Sequence, residues 1–188
     1  MKKSIFLLCL ILINFSTKAQ KTELLLSPEQ NDELSSPEVF GMNEQSFFII
    51  SSKTEHSFSI ESLTNKELRR VYKKQIILPE IDGKTNTFEN ILYFNSHIYL
   101  FSSHHDKKLK KYTVYINEIS TSGDLSLNHT IIDEVTFSEK NYSCKFKFAL
   151  SSDSNRVLAF REFSESGSPK GRIAYKVISK GLKAIYSK

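Results

Sequence analysis

Two cysteines and six glycines among 188 residues leave little room for several common designs. Cys9 falls within an N-terminal apolar run, so Cys144 stands alone once that run is removed and no internal disulfide can form. A fold without that cross-link rests on burial, and 14 Phe and 8 Tyr supply the apolar area. Cys144 itself reads as a small buried hydrophobe. The chain has no Gly-x-Ser-x-Gly elbow, no glycine-rich phosphate loop and no His-Glu-x-x-His pair. It also lacks an amphipathic helical stretch of useful length. The longest apolar run, residues 5–13, is nine residues, well short of the ~20 that a membrane-spanning helix needs.

That run reads as an export signal. Lys2 and Lys3 precede it, and Thr17 and Ala19 are the small residues signal peptidase requires, so cleavage is expected after Ala19. Lipidation at Cys9 is rejected because Leu8 stands where a small residue is wanted and apolar residues continue beyond it. Removing 19 of 188 residues leaves 169, with 23 Lys plus Arg against 21 Asp plus Glu. The net charge thereby falls from +5 to +2, because Lys2, Lys3 and Lys18 leave with the signal. The basic pI therefore implies no nucleic-acid partner. The mature chain is expected in the periplasm or outside the cell, as one domain without a membrane span.

Aligned against itself, the chain shows one unit three times. The second strands of the unit read FFIISS at residues 47–52, IYLFSS at 98–103 and VLAFRE at 157–162. Apolar strands precede them at residues 39–42, 91–94 and 146–150. The turns between are Asn43-Glu44-Gln45, Asn95-Ser96 and Ser152-Asp153-Ser154-Asn155. Such short polar side chains bond neighbouring backbone, and Asn tolerates positive φ. Downstream, residues 60–64, 116–120 and 175–179 align. Polar turns follow at Asn65-Lys66, Ser122-Gly123-Asp124 and Lys180-Gly181, then fourth strands near residues 68–72, 127–132 and 182–186. Alternation at period two, as in Phe58/Ile60, Val114/Ile116 and Cys144/Phe146/Phe148, marks strands. The expected fold is all-β: three four-stranded antiparallel repeats over residues 37–80, 88–138 and 144–188. An extension over residues 20–36 precedes them and offers an extra strand at 24–26.

Four-stranded units of roughly 40–50 residues mark a β-propeller, whose blades cover one another's faces. Residues 150–160, LSSDSNRVLAF, resemble the exported TolB-like propeller repeats of bacteria. In those repeats an apolar strand meets a Ser-Pro-Asp-Gly turn and then a strand like KRLAF. Asp153 and the strand after it match, while Ser152 replaces the proline and Ser154-Asn155 the glycine. The resemblance implies a propeller fold and an interaction role in the cell envelope. A ring takes about four to eight blades, so three copies suggest a partial or open propeller. A truncated or split gene product, a homodimer making six blades, or an open stack with polar end faces would each account for that. Lys145 and Lys147 favour a wet end face in the third copy. A β-sandwich is the alternative fold. Phe101 and Phe160, at matching positions, are both expected in the core.

His104-His105-Asp106-Lys107-Lys108 is the one local cluster of metal-ligating types. Zinc needs three or four converging ligands, and the cluster is expected to be a solvated turn between the second and third strands of copy two. His56, His97 and His129 have no metal spacing. Arg69, Arg70, Lys73 and Lys74, with Lys107, Lys108, Lys110 and Lys111, read as edge and hairpin charge that blocks strand addition. Contact with an anionic glycan, lipid or acidic partner is the functional alternative. Asp133 and Glu134 are adjacent and diverge on a strand, which does not suit a glycosidase pair. Asp82-Gly83 and Gly123-Asp124 suit turns, without the spaced oxygens of a calcium loop. Asn128-His129-Thr130 and Asn141-Tyr142-Ser143 match the N-glycosylation pattern, which matters only in a eukaryotic secretory pathway. No catalytic, cofactor or metal residue is assigned, and the binding surface is not legible. The function expected is an exported, non-catalytic binding or scaffolding module with a protein or envelope partner. A propeller portion of a larger exported hydrolase, or a truncated remnant, is the alternative.

Overall fold

The computed structural model describes residues 37–51, 53–81, 83–136, 143–164, 172–179 and 181–187. The expected export signal, the 20–36 extension, Asp82, Asn141 and the side chains of Cys144 and Lys145 lie outside the described residues.

Among the described residues there are twelve strands and no helix. The first sheet holds β1 (Glu38–Met42), β2 (Ser46–Ser51), β3 (Ser57–Thr64) and β4 (Arg70–Ile77). The second holds β5 (Thr87–Phe94), β6 (His97–Asp106), β7 (Lys111–Ile119) and β8 (Leu125–Thr136). The third holds β9 (Ser143–Leu150), β10 (Arg156–Ser164), β11 (Arg172–Ser179) and β12 (Ala184–Ser187). In each sheet the strands lie side by side in chain order, all antiparallel.

The three sheets share one register, and it is the register of the sequence repeat. Ile50 lies opposite Ile60, Phe101 opposite Ile116 and Phe160 opposite Tyr175. Likewise Phe47 faces Leu63, Ile98 faces Ile119 and Val157 faces Ile178. Local turn chemistry fixes this. Asn95 and Ser96 both take positive φ, 53° and 64°, the two-residue turn whose twist matches paired strands. Asn43 Oδ1 accepts from the Gln45 and Ser46 N–H groups, each at 2.8 Å. Asp153 Oδ1 does the same for Ser151 Oγ at 2.5 Å and Asn155 N at 3.2 Å.

Strand limits depart from expectation at the outer edges. Leu68 and Leu182 are turn residues with φ of 52° and 58°, so β4 and β12 begin two residues after them. β4 runs on to Ile77 and β8 to Thr136. β6 extends to Asp106, which places His104 and His105 on a strand opposite Thr113 and Tyr112. The turn expected there is formed by residues 107–110 instead.

Alternating side chains give the second sheet two apolar faces. Ile91, Ile98, Leu100 and Ile119 pack against Phe48, Ile50, Phe58 and Ile60 of the first sheet. Tyr99, Phe101, Val114 and Ile116 pack against Phe146, Val157, Ala159 and Ile178 of the third. Rings bridge both interfaces: Phe48–Tyr93 at 5.1 Å, Phe58–Phe88 at 5.2 Å and Phe101–Phe148 at 4.4 Å between centroids. The first strands are the neighbours, β1 beside β5 and β5 beside β9. At the first of these contacts only a glycine fits, because a Cβ on Gly41 would stand 2.2 Å from Tyr93 Cβ. Asp133 ties the second and third sheets from the far side, binding Arg161 and, at 2.6 Å, Lys176 Nζ.

The two sequence-matched phenylalanines part company here. Phe101 is fully buried. Phe160 occupies the same register position on the face of the third sheet turned away from the second, and is only half-buried. Lys147 lies opposite Phe160 on that face and is exposed there, its Nζ 5.9 Å from the centre of the Phe160 ring.

Candidate functional site

The histidine cluster disperses into structural contacts. The Asp106 carboxylate accepts from the Leu109 and Lys108 N–H groups at 2.9 Å and from Lys84 Nζ at 2.9 Å. The Leu109 N–H, with Lys84 next, holds its carboxyl down at about 2. His105 stacks on Tyr112 with 4.7 Å between ring centroids. Burial, with Lys107 and His104 adding to it, lowers the His105 pKa. His104 Nδ1 donates to the Thr85 carbonyl at 3.0 Å, and His56 Nδ1 to the Asn86 carbonyl at 2.9 Å. Two histidines from different copies thus anchor one connection, which no sequence spacing displays. His97 pairs with Glu118 at 2.6 Å and His129 sets its ring against Tyr115. Among the described residues no group of three or more His, Cys, Asp or Glu is arranged to hold a metal ion.

The basic runs are engaged as well. Arg70 Nε lies 3.0 Å from Glu61 and Lys73 Nζ 3.5 Å from it, while Lys74 reaches Asp124 at 2.6 Å and Lys111 binds Glu134. β4 is an edge strand, so Arg70, Lys73 and Lys74 sit where added strands would otherwise pair, whereas Lys111 lies on the inner strand β7. Asp133 and Glu134 point to different partners and do not face each other. Asp133 lines an open cavity of about 200 Å³ with Arg161, Lys176, Tyr175, Ala174 and Ser187. Both cations there are spent on Asp133, and Lys176 also donates to the Ile132 carbonyl at 3.1 Å.

Glu89 escapes sequence reading altogether. It sits in a bulge of β5 between Phe88 and Asn90 and accepts from Ser103 Oγ at 2.5 Å. Burial raises its pKa against that hydrogen bond. A serine on a carboxylate is only part of a hydrolytic relay, and the chain's histidines are bound elsewhere.

What remains is the outer face of the third sheet. Leu158, Phe160, Ile173 and Tyr175 line an apolar groove of about 250 Å³ on it. Val177 and Tyr186 extend the same face, and the Tyr175 and Tyr186 rings stack at 5.6 Å. Ile173 is 64% exposed. In register terms these are the positions of Tyr99, Phe101, Val114 and Ile116, and of Phe48, Ile50, Phe58 and Ile60. Both earlier sets are buried against the following sheet. The third set keeps the same apolar types with no described sheet over it. Sequence alone shows the apolar positions but not that no described sheet covers them.

No protein-family model matches the chain, and no curated protein matches it.

Proposed function

We propose that the chain is an exported, non-catalytic binding module of β-propeller type that docks a protein on the outer face of its third sheet. Chain-order sheets, adjacent first strands and face-to-face covering support a partial propeller. A sandwich would enclose one core between two sheets, whereas here three sheets enclose two. The N-terminal sequence, with Lys2 and Lys3 before an apolar run and small residues at Thr17 and Ala19, supports work in the periplasm or outside the cell. The TolB-like turn and strand at residues 150–160 agree with an interaction role.

The observation that carries this reading is the groove of Leu158, Phe160, Ile173 and Tyr175, apolar at positions that are otherwise covered. Exposed apolar patches rimmed by polar groups mark interaction sites. A photo-crosslinking residue at position 173 should yield a protein adduct on the exported chain. The same residue at position 127, where Leu127 is 80% exposed on the second sheet, should yield none. Equal yields would overturn the docking site. Turnover by the purified protein in a hydrolase screen, abolished by one side-chain change, would overturn the non-catalytic reading.

A further inference from the structure

We infer that the occupant of the third sheet's outer face is the outer face of the first sheet in a second copy of this chain. The inference rests on the docking site proposed above. The chain builds the same kind of interface twice within itself, and each time a face of defined pattern is covered. On the covering side the second sheet presents Ile98, Leu100 and Ile119, and the third sheet presents Val157, Ala159 and Ile178. At the matching register positions the first sheet carries Phe47, Ile49 and Leu63 on its outer face. The polar positions recur too. Ser51, Ser102 and Arg161 match one another, as do Glu61, Asn117 and Lys176. Ser102 and Asn117 are buried between sheets, and Ser51 and Glu61 are buried on the outer face of the first sheet. There Ser59 Oγ donates to Gln75 at 2.8 Å, and Glu61 is held under Arg70 and Lys73.

The first sheet therefore ends in a face patterned to cover a neighbour, and the third ends in a face patterned to be covered. Each of these two faces carries exposed apolar residues: Val39, Met42 and Ile77 on the first, Ile173 and Tyr186 on the third. A face that meets a different face makes a head-to-tail contact, which closes only if the rotation returns to its start. Two copies meeting reciprocally, third sheet on first sheet both ways, give six sheets, within the range for closed propellers.

Sedimentation of the exported protein should give twice the chain mass. Ile173→Lys and Ile77→Lys alter one end each, at side chains 64% and 73% exposed, so both variants should stay folded by circular dichroism. Each alone should sediment as a single chain. Mixed in equal amounts they should recover a two-chain species, because one of its two contacts is then unaltered on both sides. A wild-type protein that stays a single chain overturns the inference. So does a dimer lost with Ile173→Lys but kept with Ile77→Lys, since third sheets would then meet each other. A single-chain protein that still crosslinks another protein from position 173 would sink self-association and leave the docking site standing. Absence of both sinks the two together.

Discussion

Replacing the matched phenylalanines one at a time should split the two positions by several kcal/mol. Phe101 is fully buried, and its ring lies 4.4 Å from that of Phe148 across the interface of the second and third sheets. An aromatic ring of this kind buries about 150–250 Å², and at about 25 cal/mol per Å² its transfer share is about 4–6 kcal/mol. Observed Phe→Ala losses in cores run to about 3–5 kcal/mol. Phe160 is half-buried and opens into a groove, so truncation there gives up only part of the area and leaves no sealed cavity. About 1–2 kcal/mol is expected. A domain of this size shifts its Tm by about 2–4 °C per kcal/mol, giving roughly 6–20 °C for Phe101→Ala and about 2–8 °C for Phe160→Ala. Both are best read in an Ile77→Lys background by thermal and urea unfolding, so that association adds nothing. Equal losses at the two positions would refute the end-face placement of Phe160. An unchanged Tm for Phe101→Ala would refute the interface itself.

Three further substitutions probe the joints between sheets. Gly41→Ala forces a Cβ into Tyr93 and should cost about 1–3 kcal/mol as an overpacked contact, read by urea unfolding. Asp133→Ala strands Arg161 and Lys176, whose side chains are 18% and 31% exposed. Loss of one partner from a fully buried pair costs about 3–5 kcal/mol, and this exposure reduces the expected loss to about 2–3 kcal/mol. Glu89→Gln keeps an acceptor for Ser103 and removes a carboxyl whose folded pKa lies above its unfolded one. Such a group contributes stability below the unfolded pKa near 4.3 and loses it as pH rises through the folded value. The variant should therefore be more stable than wild type at pH 7 and flatter in Tm above pH 4.3; a lower Tm at pH 7 would contradict the burial assigned to Glu89.

The repeat is legible because its signals are local. Period-two alternation at Phe58/Ile60 and Val114/Ile116, with Asn and Asp turns between, specifies strand, turn and register in a few residues. The strand limits at the edges are less legible, because Leu68 and Leu182 are apolar yet serve as left-handed turn residues. The run from His104 to Lys108 looks like a turn by polarity, but pairing with β7 carries the strand through Asp106. Contacts between copies carry no local signal at all. The Asp133 ion pair spans 28 residues to Arg161, and His56 reaches Asn86 across 30. Burial of Phe101 but not Phe160 depends on which sheet comes next, and equal residue types at equal positions cannot encode that.

Interproton contacts across strands and between sheets test the three-sheet stack most directly. Backbone contacts should join Ile50 to Ile60, Phe101 to Ile116 and Phe160 to Tyr175, with ring contacts from Phe48 to Tyr93 and from Phe101 to Phe148. Side-chain contacts between the first and third sheets within one chain, such as Ile50 to Phe160, would contradict it.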